Sequence, residues 1–498
     1  MVDKTLVFEM NMISFLKKYS AECILSLALI YISFLLFFQL WYQSFWIDEG
    51  YSSYVAKYMS LEWFYKSSYF LFEWLQALCF KLWDLNDFWA RFPSVIAHLI
   101  SIILMYLITL KFFKNKYFWL LSALIFWFLY REQGWARDAR FYSLLQMMFL
   151  LWMYLISMWM EKGKSIYLNW SILLTGIWVI FHPFLYCLCV ILFCAFLYKY
   201  KNNWNWKSLF QKKYLFTWII VIIWLFIAIM FWTLWGVLKG SLTNWLSWDA
   251  KKYYFVFYTK HLWWELGILL ITWVFWILLF LIKKKRKEII MFVIPSFLFI
   301  YALVIKGYLM HSRYALLMMP LLVFSSVALI YYIIDCLKLK YVEIIILIVM
   351  LMLSLFTTHY QFFPKSTYYF DYTSPQPDFK SAYAAIPDGK NVVSWFPTLC
   401  DRYYSSRGSC SNAIRVDLVH DWKTKVKEKQ VEDYTKIAYI DSLSQLDSWI
   451  YYFVIDNLMS KSWSINETLY EEIADRWKIV FDSWEWYNNI FVLEVLVK

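Results

Sequence analysis

Residues 24–51 read ILSLALIYISFLLFFQLWYQSFWIDEGY. The segment Ile24–Gln43 is a nearly unbroken apolar run, close to the ~20 residues that cross a bilayer core. Just beyond it stand two adjacent carboxylates, Asp48 and Glu49, in the run Phe45-Trp46-Ile47-Asp48-Glu49-Gly50-Tyr51. Ionisable groups at a membrane face are costly unless wetted or paired, which marks them as functional candidates. At this point three roles stand open for them: general base, metal ligand, or helix cap.

The rest of the chain agrees with a membrane protein. It has 498 residues, is 62% hydrophobic and has a mean hydropathy of +0.50, where a soluble domain is only about half apolar. The N-terminus lacks a short apolar run ending in a small-residue cleavage site, so Ile24–Gln43 reads as a retained span. Phe, Trp and Tyr make up 23% of the chain, more than an aromatic belt alone requires.

The formal charge of +12 is unevenly placed. Residues 361–498 hold 15 basic and 19 acidic side chains, a net of −4, which leaves +16 on the first 360 residues. Those cations cluster in short segments: Lys111/Lys114/Lys116, Lys162/Lys164, Lys199 to Lys213, Lys283 to Lys287, and Lys338/Lys340. This is the pattern of cytoplasmic loops under the positive-inside rule, so the charge argues for a topology and against a nucleic-acid partner. The run at 283–287 is also suited to contact anionic membrane lipids.

With the basic segments inside, about eleven spans follow, near 24–43, 93–110, 117–131, 142–160, 167–181, 183–200, 215–238, 263–282, 289–306, 314–334 and 342–358. An odd number puts the N-terminus in the cytoplasm and residues 361–498 outside. The loops 44–92, 131–141, 239–262 and 307–313, with the His182-Pro183 turn, then share the outer face. Within 44–92, Tyr51, Tyr54, Val55, Tyr58 and Met59 recur at helical spacing opposite Ser52, Ser53, Lys57 and Ser60, the pattern of an amphipathic interfacial helix. The run Tyr69–Leu82 is short for a span and reads as another surface helix.

After Pro364 the chain acquires prolines and a balanced mix of charges. Short β-rich runs (Asn391–Trp395, Lys436–Ile440, Trp449–Ile455) alternate with helical ones (Thr398–Ser406, Asp421–Val431, Asn466–Trp477), and a closing hairpin is expected around Asn488-Asn489. This predicts a small soluble α/β domain. Six cysteines lie in or beside apolar segments; Cys400 and Cys410 lie in the exported part, where oxidation permits a disulfide. No glycine-rich phosphate loop is present.

The outer loops carry a series of short motifs. Asp48-Glu49 opens the first; Asp138-Ala139-Arg140-Phe141-Tyr142 lies in the second; His311-Ser312-Arg313-Tyr314 precedes an apolar span containing Pro320. Their order, with Arg91-Phe92-Pro93-Ser94 inside Leu85–Tyr106, resembles the GT-C glycosyltransferases of the protein-mannosyltransferase and aminoarabinose-transferase type (bacterial glycosyltransferase family 39). The resemblance covers roughly residues 20–345. It implies a GT-C fold and transfer of a sugar from a polyprenyl-phosphate carrier to an acceptor hydroxyl (of a lipid, a glycan or a protein) at the outer face of the cell membrane. The family often has Glu where this chain has Asp138, a reach shorter by one methylene.

The residue chemistry fits that reaction. An acceptor hydroxyl needs a base as its bond forms; Asp48 is the candidate, with Glu49 supporting it or helping to hold a divalent metal. The competing reading is that Asp48 caps a helix starting near Gly50. Asp138 is a candidate second acid, with Arg140 facing sugar or phosphate and Tyr142 beside it; the alternative is a surface ion-pair cluster at a hairpin tip. The leaving lipid phosphate calls for a fixed cation, and Arg313, flanked by His311 and Tyr314, suits it because a guanidinium bonds phosphate oxygens in pairs. Against this stands an arginine snorkelling from a span end. His182 lines the site or binds metal, or is structural. In the 239–262 loop, Trp245, Trp248, Tyr253 and Tyr254 suit sugar stacking or a plain aromatic belt.

The expectation is therefore an inverting membrane glycosyltransferase. The alternatives are a transporter or flippase of a lipid-linked glycan, which calls for ionisable groups near the bilayer midplane and internal repeats, and a non-catalytic envelope-assembly subunit.

Overall fold

The computed structural model describes residues 4–45, 47–58, 70–112, 116–181, 186–200, 248–282, 286–301, 312–337, 362–364, 378–394, 397–412, 450–456, 477–482 and 490–497, with residues 219, 443 and 446. Most of them are helical. Among the described residues, four helical stretches are long and apolar enough to cross a membrane: Tyr19–Phe37, Asp87–Thr109, Tyr142–Lys162 and Ala315–Ile333. Shorter apolar helices lie beside them, and the expected spans 215–238 and 342–358 fall almost wholly outside the described residues.

Helix α1 (Lys4–Phe37) breaks its helical geometry at Tyr19, and its apolar part follows that point. It stops at Phe37, six residues before the apolar run does. The chain turns through Gln39, whose φ of 47° lies in the left-handed region that ordinary residues seldom enter. Two buried guanidiniums hold this turn. Arg137 donates to the carbonyls of Leu35 and Gln39 at 3.2 and 3.3 Å, and Arg91 donates to those of Leu40 and Gln43 at 2.8 Å. Cations suit a helix C-terminus, where carbonyls lack partners and the dipole is negative.

The first loop folds into α2 (Ile47–Lys57) and α3 (Phe70–Leu82). Next, α4 (Asp87–Thr109) starts at Asn86, whose side chain caps it by accepting from the Trp89 N–H. After α5 (Lys116–Phe128) comes the short α6 (Tyr130–Ala136), then α7 (Tyr142–Lys162), which packs lengthwise on α4. Gly163 ends α7 with φ 67°, and its N–H returns to the Trp159 carbonyl. Helices α8 (Ser165–Phe181) and α9 (Tyr186–Tyr200) follow. The expected loop 239–262 is helical from Trp248, in the segment Trp248–Leu266, and Ile268–Ile282 succeeds it. Ser312–Met318 forms a 3₁₀ helix leading into Met319–Leu337.

The apolar residues of these helices make one large cluster with Trp127, Trp135, Trp152, Trp159 and Trp276 fully buried. A second cluster belongs to the C-terminal sheet, whose strands are β1 (Asn391–Ser394), β2 (Ser409–Asn412), β3 (Ile450–Asp456), β4 (Trp477–Asp482) and β5 (Ile490–Leu496). Their order is β2-β1-β3-β5-β4. The β2, β1 and β3 strands run parallel, and β5 is antiparallel to β3 and β4, so β4 and β5 pair as the expected hairpin. The expected elements Lys436–Ile440 and Asp421–Val431, and most of Asn466–Trp477, lie outside the described residues. Strand β2 has no clear sequence pattern and follows the short helix Pro397–Tyr403. Cys400 and Cys410 form a disulfide with their Cα atoms 6.1 Å apart, tying that helix to β2.

The second apolar cluster extends into the membrane part, taking in Phe45, Ala90 and Ala139. The amphipathic helix that the sequence suggests does form, as α2, but protein covers its polar face instead of leaving it open at the interface. Its serine face is buried: Ser52 and Ser53 are covered, and α2 packs against α3 on one side and Pro397–Tyr403 on the other.

Candidate active site

The site grows from α2. The helix begins at Ile47, so Asp48 and Glu49 lie inside its first turn rather than ahead of it. Carboxylates in a first turn face the positive end of the helix dipole. The position of Asp48 along the backbone is defined; its side chain lies outside the described residues.

Glu49 is fully buried and bound on both oxygens. Arg91 Nε donates to Oε1 at 2.9 Å and Nη2 to Oε2 at 3.0 Å, the two-point arrangement of guanidinium and carboxylate. The Ala139 N–H donates to Oε1 at 2.7 Å. Arg91 also reaches the Ser44 carbonyl at 3.2 Å, besides those of Leu40 and Gln43. One ion pair therefore joins the end of α1, the start of α2, α4 and the Asp138-Ala139-Arg140 turn. This donor set fits a guanidinium better than a metal ion. Among the described residues no group of three or more His, Cys, Asp or Glu side chains could hold a metal.

The second motif is built just as deeply. Every residue from Arg131 to Arg140 is buried, so the reading of a surface ion-pair cluster does not hold. Arg140 Nη1 donates to Ser52 Oγ on α2 at 2.8 Å, and its carbonyl accepts from Ser94 Oγ on α4 at 3.0 Å. Asp138 is 1% exposed. Tyr142 opens α7, with its ring 5.2 Å from that of Trp135 and 4.3 Å from that of Phe141.

Below the turn, Gln146 Nε2 donates to Glu132 Oε1 at 3.2 Å and to the Leu316 carbonyl at 3.0 Å. His98 Nδ1 stands 4.0 Å from the other Glu132 oxygen. Leu316 belongs to the 3₁₀ helix that carries Arg313 and Tyr314, so this bridge ties the third motif's backbone to the second. The Arg313 and Tyr314 side chains, and His182 and His311 entirely, lie outside the described residues.

Two of the three motifs thus meet through their side chains and backbone, and the third is attached through its helix. Arg91, Ser52, Ser94, Glu132 and Gln146 complete the arrangement. Of these, Arg91 carries a sequence signal, a charge within an apolar helix; Gln146, a polar residue in the second turn of a span, carries a weaker one.

A helical part with acids and arginines buried at one end, and a small mixed sheet packed there, gives this chain the GT-C fold, which solved structures of low sequence identity share. ArnT from Cupriavidus metallidurans bound to undecaprenyl phosphate is 10% identical, with a TM-score of 0.54 over 94% of this chain and 97% of that one. Its apo form gives 11% identity and a TM-score of 0.56 over the same shares. The archaeal oligosaccharyltransferase AglB from Archaeoglobus fulgidus, in complex with an inhibitory peptide and a dolichol-phosphate, is 11% identical with a TM-score of 0.55, over 89% of this chain and 70% of that one. No protein-family model and no curated protein sequence matches the chain.

Proposed function

We propose that this integral membrane protein is a glycosyltransferase that moves a sugar from a polyprenyl-phosphate carrier to a hydroxyl acceptor, with inversion at the sugar carbon. The observation that carries the reading is the bond from the Ala139 N–H to Glu49, with Arg140 on Ser52 beside it. It brings Glu49, next in the chain to Asp48, and the Asp138-Ala139-Arg140 turn into one buried polar centre. Fold neighbours bound to undecaprenyl phosphate and dolichol-phosphate support the same carrier class.

In this reading Asp48 takes the acceptor proton as the new glycosidic bond forms and the bond to the carrier phosphate breaks. Asp138 and Arg140 orient the sugar, and Arg313 meets the charge developing on the leaving phosphate. Glu49 is assigned to hold α2 against Arg91, and no step is routed through a metal. The reading takes about eleven spans, a cytoplasmic N-terminus and an extracytoplasmic domain over residues 361–498, a topology in which the site faces the outer side of the cell membrane. The acceptor is a lipid, glycan or protein carrying a hydroxyl.

The test is transfer by the purified protein in sealed proteoliposomes, supplied with radiolabelled polyprenyl-phosphate sugars and a cell-envelope extract as acceptor. Asp48→Asn is expected to lower turnover by about 10²–10⁴-fold with the thermal unfolding midpoint unchanged. Unchanged turnover in that variant removes Asp48 as the base, and label that crosses the bilayer without transfer points to a flippase.

A further inference from the structure

The C-terminal domain presents three consecutive side chains to the ends of α2 and to α4. Asp401 accepts from Lys57 Nζ at 2.8 Å and from the Tyr58 hydroxyl at 2.9 Å, at the far end of α2. Arg402 donates to Asp87 Oδ1 from Nε at 3.1 Å and from Nη2 at 2.9 Å, at the first residue of α4. The Tyr403 hydroxyl accepts the Phe45 N–H at 2.7 Å, two residues before α2 begins. It also turns toward Asp87 Oδ2 at 3.4 Å. One short helix thus grips the chain on both sides of the Asp48-Glu49 pair.

That helix is itself rigidly held. The Cys400–Cys410 disulfide joins it to β2, and the Tyr404 hydroxyl donates to the Pro387 carbonyl at 2.6 Å. A further bond from the Lys380 N–H to Ser44 Oγ at 2.9 Å ties the neighbouring helix Phe379–Ala384 to the same approach to α2. On its inner side α2 rests on Arg91 and Arg140. Hydrogen bonds to charged groups and to buried backbone N–H groups are the ones costly to lose.

We propose that Asp401, Arg402 and Tyr403 are positioning residues, through which the C-terminal domain fixes α2 and the acids it carries. The role in turnover rests on the glycosyltransferase reading; the fixing of α2 does not. The domain is then a structural half of the centre in addition to any role in presenting an acceptor.

The experiment uses the full chain in nanodiscs and follows amide hydrogen exchange over residues 45–58, with transfer kinetics in parallel. Asp401→Asn and Tyr403→Phe are expected to speed exchange over α2 at least about threefold, while β3 and β5 keep their protection. The kcat for transfer falls and the donor KM is unchanged, and Asp401→Glu keeps more of the kcat and of the α2 protection than Asp401→Asn does. Unchanged α2 exchange overturns the clamp whatever the activity. Faster α2 exchange with unchanged kcat overturns its bearing on the reaction. A wild-type protein that transfers no sugar sinks the glycosyltransferase reading, and exchange alone then decides the clamp.

Discussion

Arg91 and Glu49 form a buried ion pair, each side chain at most 3% exposed. Burying two charges is expensive, and their attraction offsets that cost only while both are present. Removing one partner strands the other, at about 3–5 kcal/mol. Arg91→Leu is therefore expected to lower the thermal unfolding midpoint sharply. Adding Glu49→Leu recovers part of the loss by removing the stranded charge. Recovery stays partial because the carbonyls of Leu40, Gln43 and Ser44 and the Ala139 N–H still lose their partner. A double variant no more stable than Arg91→Leu means that these backbone bonds, not the charge pair, dominate.

Elements are held in register by single polar side chains. Gln146 on α7 carries the link between Glu132 and the 3₁₀ helix through the Leu316 carbonyl. Gln146→Leu leaves that carbonyl unsatisfied, at a cost of about 1–3 kcal/mol, and loosens the segment bearing Arg313. If Arg313 meets the carrier phosphate, the expected kinetic result is a raised donor KM with a smaller change in kcat. The turn between helix Pro397–Tyr403 and β2 depends on Gly408. A Cβ there would meet the Lys390 carbonyl and the Tyr404 ring, with Tyr404 Oη at 2.8 Å. Gly408→Ala is expected to displace β2, leaving Cys400 and Cys410 open to thiol alkylation; a fully oxidised pair in that variant contradicts this.

At the scale of the whole molecule the contact between domains titrates. Burial works against the charge on Lys57, but its hydrogen bond and charge interaction with Asp401 win, and its pKa rises above the ordinary 10.5. Burial, with the charge of Asp401, likewise pushes the Tyr54 and Tyr58 hydroxyls up. A folded-state pKa above the unfolded one gives stability that is whole below the unfolded value and is lost as pH rises through the folded value. The contact is therefore at full strength at neutral pH and weakens above about pH 10.5. Between pH 8 and pH 11.5 the unfolding midpoint of wild type is expected to fall more steeply than that of Lys57→Met. Parallel declines leave the Lys57–Asp401 pair without a part in holding the domains together.

Features that depend on neighbours along the chain are legible without the fold. Apolar runs and lysine clusters mark a membrane protein, and the alternating residues on both sides of Asn488-Asn489 mark the hairpin of β4 and β5. The order of the short motifs pointed to the fold, and Asp48 and Asp138 were already visible as acids in a telling order. What each charge does is visible only in the folded chain, because the partners that settle it are remote. Glu49 is engaged by Arg91, 42 residues on, and by Ala139, 90 residues on. The polar face of α2 looked solvated because its partners, Arg140 and Asp401, come from later parts of the chain. Periodicity records which residues share a helix face, whereas burial depends on what the completed fold brings against it. A charge that reads as wetted from its neighbours becomes a structural tie once water is excluded and a guanidinium is set within 3 Å.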